Sequence, residues 1–366
     1  MRRKFLGFIT LLAAVLVIAA CSKDDTPEPL TKDEAVTKLN DASDEMDQGM
    51  TEMMQTEGMN AMMYFMNIAP QGTEVKSGES SKAAINNLKQ IVDFARTPKK
   101  AIVPKAIKVA QEFDTPFGNY GTFTFNETTY QWDYSSEPQD EIVYIFPADA
   151  TGEKLATLTI SGIEVVGEGE DEFLTVVSIL LEVDGDEALL LTYSATITDD
   201  IMESVEVDLT MEEFTFSLNA SMVELATGIK VNFSHSIKNA GLVLMSSNLE
   251  MLFPEFDMTF DPSMEDDMLD DTEPKTVNGH LVLGSIKATL DLNNEAFISD
   301  MSSGVDMETA ANDHLNIRLY SYPEGASIAY VKWYEVDNDI EPYLVFSDNS
   351  EQPAEDYFPD DMFEDF

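Results

Sequence analysis

Phe173–Ile197, with the sequence FLTVVSILLEVDGDEALLLTYSATI, is the stretch that decides the fold. Its centre is Asp184-Gly185, flanked by apolar and β-branched residues, and an Asp-Gly pair in this setting is the strongest short signal for a β-hairpin. The runs Val176–Leu181 and Ala188–Leu191 are almost continuously apolar, which is typical of strands that are covered on both faces. The stretch therefore predicts two antiparallel strands near the centre of a sheet.

Period-two alternation extends from this hairpin in both directions along the chain. Further strands are predicted at Gly121–Phe125, Tyr130–Tyr134, Ile142–Phe146, Leu155–Val166, Glu203–Met211, Phe214–Leu218, Ile229–Ile237, Leu242–Phe253, Val277–Leu292, Leu315–Tyr320, Ile328–Val336 and Tyr343–Phe346. The alternation gives about 13 strands. Short links between them require antiparallel neighbours, so we expect one large, strongly curved, mostly antiparallel β-sheet, in the form of an open barrel or a sandwich.

Two breaks in the alternation have structural meaning. At Glu212-Glu213 the inward-facing parity slips by one residue, which predicts a bulge or a tight turn. Near Gly284 the phase changes again, which predicts a bend. A short helix is expected over Val305–Asn312, and residues 261–274 are expected to form an acidic loop.

The sequence before the strands has helical periodicity. Thr31 and Glu34 form a capping box, and apolar residues then recur every three or four positions until Gly58, which we expect to interrupt the helix. The spacing resumes up to Pro70, and further helices are expected after Ser80 and from Pro104. The domains predicted are therefore a helical module over 31–112, an antiparallel β domain over 113–347 and an acidic aromatic tail over 348–366, disordered until bound. The fold class is α+β.

Charge is spread unevenly along the chain. Residues 113–366 contain 7 basic and 54 acidic residues, within a net charge of −48 for the whole chain. A body this anionic repels phosphate backbones, which excludes nucleic acid as a partner. The charge serves solubility, or else it meets a basic or cation-rich partner.

Residues 1–20 have the layout of a signal peptide. Cations at positions 2–4 precede an apolar run that ends at Ala20 and is shorter than the ~20 residues that span a bilayer. Small residues followed by the only cysteine, Cys21, resemble the lipobox of bacterial lipoproteins. The resemblance implies cleavage before Cys21 and its acylation, which holds the chain stably at a membrane when two or more acyl chains are attached. An uncleaved N-terminal membrane anchor is the alternative.

Residues 21–30 form the acylated tether that this resemblance implies. The segment Cys-Ser-Lys-Asp-Asp at 21–25 is similar to the export signal of Bacteroidota-type surface lipoproteins. The similarity implies a lipid-anchored protein of the outer membrane that faces the cell exterior; the periplasmic face is the alternative. Because the only cysteine is then acylated, no disulfide can form and the fold depends on its buried core.

Methionines recur at helical spacing in the N-terminal module. Met50, Met54, Met62 and Met66 are candidates for an adaptable apolar groove that accepts a lipid or a peptide. Ordinary amphipathic packing explains the same spacing and is the favoured interpretation, and ligation of Cu(I) by the thioethers ranks third.

Carboxylates at alternate positions suggest a cation site. Asp337, Asp339 and Glu341 are candidate Ca²⁺ ligands, although a solvated turn is the favoured interpretation and the sequence requires no cofactor. His235 has inward parity, which is more typical of a hydrogen-bonded core histidine than of a ligand. No motif for nucleophilic or zinc catalysis is present.

Trp132, Trp333 and the tyrosines near them indicate either a sugar-stacking platform or buried aromatic packing. The sequence favours a non-catalytic binding or structural module at the cell surface, with a partner protein or an extracellular ligand. A carrier of an apolar ligand, in which Met-rich helices cover a β-cradle, is the alternative, and this layout resembles LolA/LolB-type cradles in general plan. A hydrolase with a carboxylate site ranks last.

Overall fold

Helices open the described chain and strands follow. The computed structural model describes residues 27–68, 120–166, 173–198, 201–254, 274–336 and 339–357. The α-helices of these residues are α1 (Lys32–Met54), α2 (Glu57–Ile68), α3 (Asn294–Ser303) and α4 (Met307–His314). Cys21, Asp337 and the helices predicted after Ser80 and from Pro104 lie outside the described residues.

The strands form a single sheet. They are β1 (Gly121–Asn126), β2 (Gln131–Ser135), β3 (Ile142–Pro147), β4 (Leu155–Val166), β5 (Phe173–Val183), β6 (Asp186–Thr198), β7 (Ile201–Met211), β8 (Phe214–Leu225), β9 (Gly228–Asn239), β10 (Leu242–Phe253), β11 (Thr276–Leu283), β12 (Ile286–Asn293), β13 (Leu315–Ser321), β14 (Ser327–Val336), β15 (Asp339–Phe346) and β16 (Glu351–Pro353). Their order runs from β16 down to β3 and then β1 and β2, so the sheet is not closed. The predicted α+β class and the mostly antiparallel sheet after N-terminal helices are confirmed.

The hairpin at Asp184-Gly185 is present as predicted. β5 and β6 pair antiparallel across it, with φ of 53° at Asp184 and 88° at Gly185. Positive φ at both central residues is the requirement of the type I′ turn. β1 departs from the antiparallel rule, because it pairs antiparallel with β2 but parallel with β3.

Several boundaries differ from the prediction. The phase change near Gly284 is a complete hairpin between β11 and β12 rather than a bend. The tight turn predicted at Glu212-Glu213 is confirmed, with Glu212 in the turn between β7 and β8. The short helix expected over Val305–Asn312 is confirmed as α4, and α3, which was not predicted, precedes it. The tail expected to be disordered contains β16 and a 3₁₀ turn at Ala354–Asp356.

The first helix ends earlier than the sequence indicated. α1 stops at Met54, and the hydroxyl of Thr56 donates to Met53 O at 2.8 Å and accepts from Met59 N–H at 3.3 Å. Gly58, predicted to break the helix, lies inside α2, where a Cβ would clash with Ala188 O. The lack of a side chain at Gly58 therefore allows α2 to approach β6 closely, and does not end the helix. The capping box is confirmed, because Thr31 N–H donates to Glu34 Oε2 at 2.9 Å and Glu34 N–H to Thr31 Oγ1 at 3.4 Å.

The described chain divides into two compact units. The first contains the chain up to Gly49, Ser221–Lys238 and the chain from Leu242 onward; the second contains Met50–Ala220 and Asn239–Gly241. In the first unit Ala35, Ala42 and Gly49 recur at seven-residue spacing and are buried, so one face of α1 carries small side chains.

Candidate binding surfaces

One face of the strands β11–β15 presents cations and phenols to solvent. We call this the tyrosine face and define it by His280, Lys287, Arg318, Tyr320, Tyr330, Lys332, Tyr334 and Tyr343. The neighbouring residues of opposite parity, such as Leu281, Leu319 and Trp333, are buried. Because side chains alternate between the two faces of a strand, this parity directs the members of the face outward.

The strand register brings these side chains side by side. Direct neighbours across the ladders are His280 with Thr289, Thr289 with Arg318, Arg318 with Tyr330, Lys287 with Tyr320 and Lys332 with Tyr343. Directly opposed residues of an antiparallel pair have Cβ atoms about 5 Å apart. The members of the face therefore lie side by side rather than as isolated residues, with the buried Thr289 between His280 and Arg318.

Positive charge on this face is incompletely neutralised. Lys287 and Arg318 form no ion pair within the described part of the chain. Lys332 pairs with Glu351 at 3.2 Å and also contacts the hydroxyl of Tyr334. Burial lowers the pKa of Lys287, and the pKa of His280 is lowered by burial and then by the charge of Lys287. Two cations of this face thus have no carboxylate partner among the described residues.

The two tryptophans lie in the core and do not form a platform. Trp132 and Trp333 are 4% and 1% exposed, and Trp333 Nε1–H donates to Leu315 O at 3.0 Å. The buried-packing interpretation of the indoles is therefore the right one. The sugar-stacking hypothesis therefore concerns the tyrosines of the tyrosine face instead. On β14 they have the opposite parity to Trp333, and Tyr330 is 48% exposed.

The cations of the tyrosine face were not identified from the sequence. Lys287, Arg318 and Lys332 account for three of the seven basic residues in 113–366. Each occupies an outward position of an alternating strand, so counting cations by strand parity would have found them.

An aromatic cluster forms a second candidate site, in the second unit. Phe65 of α2 lies against Tyr144 and Trp132 with ring centroids 5.2 and 6.1 Å away, and these two rings are 5.5 Å apart. Phe123, Phe125 and Phe146 complete the cluster. Trp132 Nε1 and Tyr144 Oη are buried and have no hydrogen-bond partner among the described residues, and burial strongly raises the pKa of Tyr144. The cluster therefore holds two buried polar atoms that the described part of the protein leaves unsatisfied.

The four candidate methionines are not equivalent. Met62 is 7% exposed and belongs to the core, and Met66 is partly buried. Met50 and Met54 are 39% and 40% exposed. Amphipathic packing thus accounts for Met62, whereas Met50 and Met54 present thioethers to solvent, as an apolar groove requires.

A polar cleft of about 480 Å³ lies on the other side of α2. Glu57, Asn60 and Tyr64 of the helix line it together with Asp149 and Lys154. Lys154 Nζ forms an ion pair with Glu57, so these two charges of the cleft neutralise each other.

The calcium candidates are only partly described. Glu341 lies on β15 opposite Tyr334 and is exposed, while the side chain of Asp339 and all of Asp337 fall outside the described residues. Within the described residues no three His, Cys, Asp or Glu side chains are grouped closely enough to hold a metal ion. The Ca²⁺ site stays a prediction.

His235 is a hydrogen-bonded core residue, as its parity indicated. Its Nδ1 lies 2.5 Å from Ser247 Oγ, and the two residues are 6% and 3% exposed. Burial lowers the pKa of His235 to about 4, so the imidazole is neutral at neutral pH. The Ser–His contact has the pairing of a nucleophile and a base, but it lies inside the core.

Among the described helices, none is both long enough and apolar enough to cross a membrane. No family model, no curated protein and no solved structure matches this chain.

Proposed function

We propose that the chain is a lipid-anchored protein of the outer membrane, facing the cell exterior, and that it acts as a non-catalytic binding module. The observation that carries the proposal is the tyrosine face, where Lys287 and Arg318 form no ion pair with any described residue in a chain of net charge −48. With so many carboxylates in the chain, two cations that pair with none of the described ones are groups that an external ligand can use.

Support for the anchored arrangement comes from the point where the tether joins the fold. Leu30 N–H donates to Ser327 O at 2.9 Å, and the Ser347 hydroxyl donates to Leu30 O at 2.6 Å. Ser327 begins β14 and Ser347 follows β15, so the tether meets one end of these strands. β14 has 10 residues, and a strand of this length extends about 30 Å. A chain anchored at Cys21 would thus extend its strands away from the attachment point.

Binding rather than catalysis suits the side chains that solvent reaches. The Ser247–His235 contact is buried, whereas the tyrosine face offers solvent phenols, an amide and cations that recognise ligands by hydrogen bonding and stacking. The membrane is the first partner in this proposal, through acylated Cys21. A ligand or protein at the tyrosine face is the second.

Replacement of Cys21 tests the anchor. Cells that express the full chain, Cys21→Ser or the control Ser22→Ala are labelled with an alkyne fatty acid and fractionated. We expect label and membrane association for the wild type and the control, and neither for Cys21→Ser. Membrane association of Cys21→Ser at the same processed size would overturn the anchor.

Surface display is tested separately from acylation. The double variant Asp24→Ala/Asp25→Ala should keep its label but lose sensitivity to protease added to intact cells. Protection of the wild type from that protease would favour the periplasmic face.

A carrier of an apolar ligand is the second candidate function. It is favoured by the unsatisfied Trp132 Nε1 and Tyr144 Oη inside the aromatic cluster, because a ligand with one acceptor oxygen could accept from such donors, and by the exposed Met50 and Met54. Native mass spectrometry of the full chain, purified from cells, should then show an added mass that Tyr144→Phe and Trp132→Phe reduce and that Tyr134→Phe does not. A single unliganded mass for the wild type would remove the carrier.

A further inference from the structure

The tyrosine face combines two kinds of group that recognise different parts of a ligand. Arg318 and Lys287 are cations without ion-pair partners among the described residues, and Arg offers a planar fork of donors that matches a carboxylate. Tyr330, at 48% exposure, lies directly opposite Arg318 in the ladder. A bound molecule can therefore meet a cation and a flat aromatic ring within one strand spacing, about 4.8 Å.

Polar neighbours extend this pairing along the strands. Asn316 lies two residues from Arg318 on the same parity and is exposed, and Lys332 lies two residues from Tyr330, opposite Tyr343. Tyr334 packs edge-on against Tyr343, with ring centroids 5.0 Å apart. The hydroxyl of Tyr334 donates to Glu351 Oε2 at 2.5 Å, which fixes its orientation. Rings, amide and cations thus lie side by side on this surface, together with the exposed carboxylates of Asp291, opposite Asn316, and Glu341, opposite Tyr334.

A long acidic polymer of high charge density is a poor match for this chain. The rest of the chain is strongly anionic, so its long-range electrostatic field repels such polymers. Only the short-range contacts with the cations of the face would attract them. A peptide would require an apolar pocket for an anchoring side chain, whereas the exposed groups here are polar: phenols, an amide, cations and the carboxylates of Asp291 and Glu341. A ligand made of rings that carry hydroxyl groups, with carboxylates at intervals, matches the alternation of tyrosine and cation on this face.

We propose that the tyrosine face binds an acidic oligosaccharide, in which Arg318 and Lys287 bind the carboxylates and Tyr330 and Tyr343 contact the faces of the sugar rings. This inference rests on the proposed function as a binding module and names the class of its ligand. It does not depend on the anchor, because binding of a soluble oligosaccharide by purified protein requires no membrane.

Calorimetric titration of the full chain in detergent provides the test. The probes are a linear tetramer of hexuronic acid, the corresponding neutral hexose tetramer, a glutamate-rich peptide of equal charge, and the water-soluble lipid headgroup glycerol 3-phosphate. We expect the uronic acid tetramer to bind, the neutral tetramer to bind at least about tenfold more weakly, and the peptide and glycerol 3-phosphate not to bind.

Matched variants locate the site. Arg318→Gln and Tyr330→Ala should each weaken binding of the uronic acid tetramer by about tenfold or more. Two controls should change it less than about twofold: Lys230→Gln, whose lysine pairs with Glu250 on the same sheet, and Tyr130→Ala, whose tyrosine is 59% exposed in the second unit.

Several results would overturn the inference. These are no binding of the uronic acid tetramer, equal binding of the peptide or glycerol 3-phosphate, or binding that is unchanged in both Arg318→Gln and Tyr330→Ala. Failure of binding leaves acylation and membrane association untouched, and failure of the anchor leaves binding untouched, so the two proposals fail separately.

Discussion

The side chain of Asn312 makes the two backbone hydrogen bonds at Trp333 that a neighbouring strand would otherwise make. Its Nδ2 donates to Trp333 O at 2.8 Å and its Oδ1 accepts from Trp333 N–H at 3.0 Å. The ladder between β13 and β14 covers only the first part of β14, from Ser327 to Tyr330, so an amide of α4 bonds the backbone at Trp333. An amide side chain can do this because it carries the donor and the acceptor of a peptide group in one plane.

Asn312→Leu should therefore destabilise the protein strongly. The substitution removes a hydrogen bond from the N–H and another from the C=O of Trp333, and each buried group that loses its bond costs about 1–3 kcal/mol. We expect a loss of about 2–4 kcal/mol in the free energy of unfolding, measured by urea titration. Asn316→Leu, at an exposed position of β13, should change it by less than about 0.5 kcal/mol. Equal effects of the two variants would contradict this role for Asn312.

The stability of the protein should fall on acidification through His235. The folded-state pKa is about 4, below the ordinary 6.5, so below pH 6.5 the unfolded chain binds a proton that the folded chain does not. The contribution is full above pH 6.5 and is lost as the pH falls towards 4, by about 3 kcal/mol at most. Urea titrations from pH 7 to 4.5 should show a shallower decline for His235→Gln than for the wild type. Phe233→Leu, a packing control beside the ring, should lower stability without changing the slope.

Two helical glycines should respond differently to alanine. Helix propensity favours alanine by about 1 kcal/mol at both sites. At Gly58 the new Cβ would clash with the backbone oxygen of Ala188, whereas at Gly49 it would meet the end of the Leu244 side chain at 2.5 Å. Because a side chain can rotate and a central strand cannot, we expect Gly58→Ala to lower the melting temperature substantially more than Gly49→Ala. The reverse order would disprove the close-approach account.

Removing a buried hydroxyl should stabilise the protein. Tyr144 Oη is buried and has no partner among the described residues, so Tyr144→Phe removes a desolvated polar atom and should raise the free energy of unfolding by about 1 kcal/mol. Tyr134 is the control, because its hydroxyl donates to Tyr120 O at 2.8 Å, and Tyr134→Phe should lower stability by about 0.5–1.5 kcal/mol. A loss of stability in Tyr144→Phe would show that the hydroxyl has a partner.

Patterns of near neighbours could be predicted from the sequence. The Asp184-Gly185 hairpin, the limits of β4 and β10, the turn at Glu212 and the capping box of Thr31 and Glu34 all depend on residues a few positions apart. Turn chemistry and period-two alternation are sufficient for these.

Features that depend on distant contacts could not be predicted in the same way. The sequence predicts a helix break at Gly58 because the contact of Gly58 with Ala188 has no local sign, and neither has the parallel pairing of β1 with β3. The sequence proposed Trp333 itself as part of a binding surface, but its indole packs into the core. Its neighbours Lys332 and Tyr334 lie on the opposite face of β14, which carries the candidate surface. The tyrosine face is assembled by four successive ladders, and its members extend over 63 residues of sequence, from His280 to Tyr343.

The attachment of Leu30 has a consequence for the order of folding. Its two hydrogen bonds lead to Ser327 and Ser347, almost 300 residues or more later in the chain. Successive hairpins can assemble one after another as the polypeptide is synthesised, since nearly every strand pairs with the next in sequence. The first turn of α1 cannot dock until β14 and β15 have emerged. A chain truncated before β14 would therefore lack both partners of Leu30. Its N-terminal turn would be undocked and open to proteases, which could distinguish an unfinished molecule from a complete one.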